Sequence, residues 1–128
     1  MADENTSSNA RRYQSQVTGS PPGWVYRVWR NGEKVDFDGY SLSEGLLLDA
    51  KAFSYAKHFD ENLDPKAYYQ GAKKLIDMAW RQSRVANGVP IRWHVAEARM
   101  VPILQKMLAG QRIRGIEVVY TAPLPRVD

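Results

Sequence analysis

Apolar and polar residues recur along the chain with distinct periods, and each period predicts an element. Trp24-Val25-Tyr26-Arg27-Val28-Trp29-Arg30 is dense in aromatic and β-branched residues and predicts a strand. Asn31-Gly32 follows, a pair that readily supplies the positive φ angles of a type I′ turn, so Glu33 to Phe37 reads as the return strand of a hairpin. Gly45 to Phe53 reads as a third strand, and Leu46-Leu47-Leu48 predicts its burial on both sides. Strand alternation places Asp49 and Lys51 on one face with Leu47, and Leu46, Leu48 and Ala50 on the other. Tyr68, Ala72, Leu75, Ile76, Ala79, Ser83 and Ala86 trace one stripe at spacings of three and four, predicting a helix over roughly 65–86. Asp64 would be its N-cap, Pro65 its first residue, and Asn87-Gly88 its end. Ile91 to Val95 alternates as a strand, Glu97 to Ala109 is a second amphipathic helix, and Ile116 to Thr121 is a last strand. Ala10 to Val17 forms a short helix ahead of the Gly19–Gly23 loop, and Pro123 to Asp128 is a tail. Residues 1–9 offer almost nothing to bury and are expected to be disordered, leaving a single domain over 10–128. The order is α/β: an antiparallel meander, then two strands joined through a crossover helix, in a mixed central sheet flanked by helices.

Composition narrows the chemistry. The chain has 128 residues and no cysteine, which excludes a disulfide scaffold, thiolate metal sites and a cysteine nucleophile. No apolar run approaches the ~20 residues of a membrane span, so a soluble protein without membrane insertion is expected. Met1–Ser8 has no apolar core, so no secretory signal is expected there. The net charge of +4 is unevenly spread, with a net of −5 over residues 33–64 and +6 over residues 66–106. The basic part suggests a polyanion partner, whereas the acidic part would repel one and needs its own explanation.

Asp38, beside Gly39 at the end of the second strand, supplies that explanation. A hairpin-like connection over 39–45 would carry its carboxylate next to that of Asp49. Adjacent carboxylates repel each other unless a cation lies between them, and hard oxygen ligands favour Mg²⁺, with Mn²⁺ as a substitute. Asp38 and Asp49 are therefore the candidate metal ligands, with the Ala50 carbonyl as a further donor. Lys51 would orient a metal-bound water or neutralise developing charge. Asp36, two residues before Asp38, is an alternative ligand or a solvated hairpin residue.

An acid followed at a distance by Asp/Glu-X-Lys at a strand end resembles the signature of restriction-endonuclease-like nucleases. The likeness extends further. Tyr13-Gln14-Ser15-Gln16-Val17-Thr18-Gly19, Val35-Asp36-Phe37-Asp38-Gly39-Tyr40, Leu47-Leu48-Asp49-Ala50-Lys51, Arg81-Gln82 and Pro90-Ile91-Arg92-Trp93-His94-Val95-Ala96-Glu97 together resemble restriction-endonuclease-fold toxin family 5, over roughly residues 13–121. That family often has Glu where this chain has Asp49, which shortens reach by a methylene but keeps a metal ligand. The resemblance implies a restriction-endonuclease-like fold and a metal-dependent endonuclease acting on DNA, or on RNA. It also implies a toxin of the type VI secretion effector kind, acting in the cytoplasm of a competing bacterium and held by a cognate immunity protein. Gln82 lies along the main helix stripe and would reach the strand ends; otherwise it is a flanking polar residue.

Arg81, Arg84 and Lys73 are candidate phosphate grips, or simply charges solvating a helix. His94 reads as a neutral histidine hydrogen-bonded within the sheet, His58 as a surface residue, and Glu97 as an acid of a helix first turn. Trp24, Tyr26 and Trp29 read as core and partner interface. Two rival readings remain at this stage. One is a metal-independent ribonuclease with His58 or His94 as acid and Glu97 as base. The other is a non-catalytic binding module that keeps the fold.

Overall fold

The computed structural model describes residues 4–125. Asn31 and Gly32 adopt φ of 50° and 80°, and this turn folds β1 (Tyr26–Arg30) onto β2 (Glu33–Phe37) with Arg30 opposite Glu33 and Tyr26 opposite Phe37. The ladder stops at Asp38. A short β3 (Gly39–Ser41) then begins a second sheet and pairs antiparallel with β4 (Leu46–Lys51). Gly39 is needed at this junction, because a Cβ there would stand 2.8 Å from Thr18 Cγ2 and 2.9 Å from Thr18 Cβ. β4 pairs in parallel with β5 (Ile91–Val95), and β5 in parallel with β6 (Ile116–Tyr120), giving the order β3-β4-β5-β6. Parallel neighbours need crossovers, and the helices α2 (Gly71–Ala86) and α3 (Met100–Gly110) supply them.

The sheet is packed on both faces. Leu47, Trp93, Val95 and Val118 join Leu75, Ala79, Val85, Ile103 and Leu104 in the main core, which also takes Phe37 from the hairpin. On the opposite face Ala50, Ala52 and Ala96 meet Tyr13 and Val17 of α1 (Glu4–Thr18). α1 also grips the chain beyond β6. Tyr13 Oη donates to the Thr121 carbonyl at 2.8 Å and Gln16 Nε2 to that of Ala122 at 2.8 Å, while Gln16 Oε1 accepts from the Leu124 N–H at 2.9 Å. Among the described residues no helix is long and apolar enough to cross a membrane.

Several expectations are corrected. The expected single meander is split: the β1–β2 hairpin is a separate two-stranded sheet, and β3 is an additional strand within the expected 39–45 connection. The third strand is shorter than Gly45–Phe53. The main helix starts at Gly71, not at Pro65. Residues before it fold on themselves instead, with Phe59 bridged to Pro65, and Asp64 accepts from Lys106 Nζ at 2.8 Å rather than capping the helix. Tyr68 consequently leaves the buried stripe and is 65% exposed. Trp24, Tyr26 and Trp29 are exposed rather than part of the core. α1 overlaps the expected disordered segment from Glu4 onward; residues 1–3 lie outside the described residues, as do residues 126–128 of the expected tail.

Candidate active site

Asp49 and Lys51 leave β4 on the face covered by α2, as strand alternation requires. Both are buried, at 6% and 4% exposure, and so is Gln82 of α2 at 2%. Buried charges must find partners, and here they do. Lys51 Nζ donates to Asp49 Oδ2 at 2.5 Å, lies 4.6 Å from the centre of the Trp93 ring and contacts Met78 Sδ at 3.0 Å. Gln82 Nε2 donates to the same Asp49 oxygen at 3.2 Å. Trp93, opposite Asp49 in the β4–β5 register, donates through Nε1 to Gln82 Oε1 at 2.7 Å. The amide of Gln82 is thus engaged at both ends, fixing its orientation and that of Asp49.

Asp38 arrives from the junction between the two sheets. Its Oδ2 accepts from the Ala50 N–H at 2.7 Å, which sets its carboxyl close enough to that of Asp49 to perturb its ionisation. The positions at 38, 49 and 51 converge. Burial, followed by the adjoining Asp49 carboxyl, pushes Asp38 up to about 8. Burial also opposes ionisation of Asp49, but the Lys51 charge and hydrogen bonds from Asp38, Lys51 and Gln82 hold it below the ordinary carboxylate range. Burial alone would lower Lys51, and Asp49 overcomes it to hold the ammonium above its usual value. The pair is thus pushed apart: Asp38 is the carboxyl driven towards holding a proton, and Asp49 the one held towards ionisation beside Lys51.

This donor set fits a divalent cation. Two buried carboxyl groups set side by side repel each other when both are charged, and a dication between them would resolve the conflict. Mg²⁺ is commonly bound through one or two carboxylates, with waters and substrate phosphate completing its shell. Two is what the fold brings together; among the described residues there is no cluster of three or more His, Cys, Asp or Glu.

Other sequence candidates sit elsewhere. Asp36 is paired across the hairpin with Arg27, at 2.6 Å to Nε, on the exposed side. Arg84 Nη2 lies 2.9 Å and Arg81 Nε 3.7 Å from Glu33, so both arginines tie α2 to the hairpin. Lys73 pairs loosely with Asp77 at 3.6 Å. His94 Nδ1 bonds Thr121 Oγ1 at 2.7 Å, and burial followed by nearby Arg92 lowers its pKa. Glu97 precedes α3 and accepts from the Tyr55 and Ala56 N–H groups at 2.9 and 3.1 Å, so it braces the loop after β4 instead of serving α3. His58 is half-buried against Tyr69. Met78 and Trp93 were missed as members of the site. The i, i+4 spacing of Met78 and Gln82, and the shared face of Trp93 and Ile91, were the signals available.

Compared with known proteins, the chain matches the family model described as restriction endonuclease fold toxin 5 over residues 10–98. No curated protein matches it.

Proposed function

Because the chain belongs to the restriction endonuclease fold toxin 5 family, with the mixed sheet of a restriction endonuclease-like fold, we propose that it is a nuclease toxin domain. Its reaction is Mg²⁺-dependent hydrolysis of phosphodiester bonds in DNA. The observation that supports this most is the convergence of Asp38, Asp49 and Lys51 at one buried point beside Gln82. Asp38 and Asp49 would hold the cation. When bound, it supplies a water of lowered pKa and positive charge against the phosphate. Lys51 places an ammonium where negative charge develops on the phosphoryl oxygens. Its donor direction is set by Asp49, the Trp93 ring and Met78. Gln82 acts as a positioning residue: its amide locks Asp49 to Trp93 and thereby to β5. As an effector of a specialised secretion system, the domain would act in the cytoplasm of a target bacterium and be neutralised by a cognate immunity protein, either acidic where it covers residues 66–106 or plugging the carboxylate cleft.

The test is cleavage of plasmid, linear DNA and RNA with Mg²⁺ and with EDTA. Nicking or linearisation of plasmid with Mg²⁺, silenced by EDTA and restored by excess Mg²⁺, is expected. Chelator-resistant cleavage of RNA would instead establish the ribonuclease reading. Salt-sensitive binding without cleavage under any metal would leave a binding module.

A further inference from the structure

α2 leads away from the carboxylates along a line that starts at residues already set beside Asp49 and Lys51 and continues to one the chemistry above does not use. Gln82, Met78 and Lys74 are spaced four apart, so they lie on one side of the helix. Met78 is partly exposed and touches Lys51. Lys74 is exposed and, among the described residues, forms no ion pair. It sits near the N-terminus of α2, whose first turn holds no acid. Positive side chains oppose the helix dipole there, so the helix gains nothing from them unless an anion is present.

The line ends on aromatic rings. The Tyr69 ring lies over Gly71, where a Cβ would come within 2.3 Å of it. The His58 ring stacks on Tyr69 with centroids 4.3 Å apart and planes 2° from parallel, and Tyr68 stands edge-on to His58 at 6.0 Å. His58 Nδ1 is enclosed without a hydrogen-bond partner, so stacking rather than polar bonding holds the imidazole. Glu97 and Arg99 fasten this loop from below: Glu97 Oε1 accepts at Tyr55 and Ala56, and Arg99 donates to the carbonyls of Ala56, Phe59 and Asp60. Gly71 lies about 10 Å along the helix axis from Met78, a distance spanned by a very short stretch of nucleic-acid backbone.

We propose that this strip is a subsite for a nucleotide adjoining the cleaved bond, with Lys74 taking its phosphate and Tyr68, backed by the His58–Tyr69 stack, taking its base. The proposal rests on the nuclease reading and deepens it by naming where the flanking strand lies. A base presents a π-face whatever its identity, so the contact would add affinity with little sequence preference.

The test measures cleavage kinetics and chelator-treated binding of oligonucleotides bearing 2-aminopurine at successive positions around the cleaved bond. Tyr68→Ala is expected to raise KM roughly tenfold with little change in kcat. It should also abolish fluorescence quenching at one flanking position, while Tyr68→Phe behaves like the unmodified chain. Lys74→Ala is expected to reduce the slope of log affinity against log salt by about one. Both side chains are exposed, so circular dichroism should be unchanged. A nuclease whose Tyr68→Ala and Lys74→Ala variants keep their KM and salt slope would overturn the subsite alone. A chain that neither binds nor cleaves any nucleic acid would overturn the nuclease reading with it.

Discussion

Asp38→Asn is expected to make the metal-free protein more resistant to heat above pH 8 while cutting cleavage by ~10²-fold or more. The two effects share one cause. Asp38 is held near 8 in the folded chain against 3.8 for the free group. Its folded pKa is raised, so its contribution to stability is complete below about pH 4 and is lost as pH rises through about 8. Asparagine mimics the protonated acid, keeps an oxygen for the Ala50 N–H and carries no such pH dependence. In EDTA, the melting temperature of the unmodified chain should therefore fall between pH 6 and pH 9, and that of the variant should not. Mg²⁺ should reverse the order, because a ligand bound only by the folded state stabilises it and the variant has lost a carboxylate. Parallel melting profiles in EDTA would show that the Asp38 carboxyl is not pushed up by its burial.

The second large effect concerns the Asp49–Lys51 pair. Lys51→Met should destabilise the fold by about 3–5 kcal/mol, the range for removing one member of a buried pair, because the remaining carboxylate keeps its burial without its cation. Asp49→Asn leaves the ammonium against Trp93 and Met78 with an amide for a partner and should cost less. The double variant should recover much of the loss, giving a coupling energy in a denaturant cycle of roughly 0.5–3 kcal/mol, while all three variants are inactive in the plasmid assay. Recovery of stability without recovery of cleavage separates a failed fold from failed chemistry. If the double variant is as unstable as the sum of the singles, the pair is not coupled.

These residues were legible in the sequence because strand alternation is a strict rule: a run of leucines ending in Asp-Ala-Lys can present its acid and base on only one face. The hairpin was legible for the same kind of local reason, as Asn31-Gly32 carries its own backbone geometry. Gln82 was half legible. The helical stripe pointed it inward, but not at Trp93, which lies on another strand and is brought beside Asp49 only by the parallel register. The start of α2 was misread because Asp64-Pro65 has the chemistry of a helix start, yet the chain spends those residues on a loop closed by Phe59, Asp60 and Lys106. A turn back onto Phe59 and Asp60 and the distant Lys106 decided that outcome, and nothing in Asp64-Pro65 itself announces them. The fate of Arg81 and Arg84 was hidden likewise, since Glu33 meets them only after the hairpin folds over α2.

Because no ladder bonds join the outer hairpin to the four-stranded sheet, the molecule can breathe in parts. Opening that starts at the Asn31-Gly32 tip would break the bridges to Arg81 and Arg84 first and proceed until it meets Phe37, which is fully buried. Amide protons of β1 belong to this weak unit and should exchange with solvent well ahead of those of β4 and β5. Phe37 is a latch, and the residue behind it is Asp38, so fraying from the tip inward halts one peptide bond short of the acid.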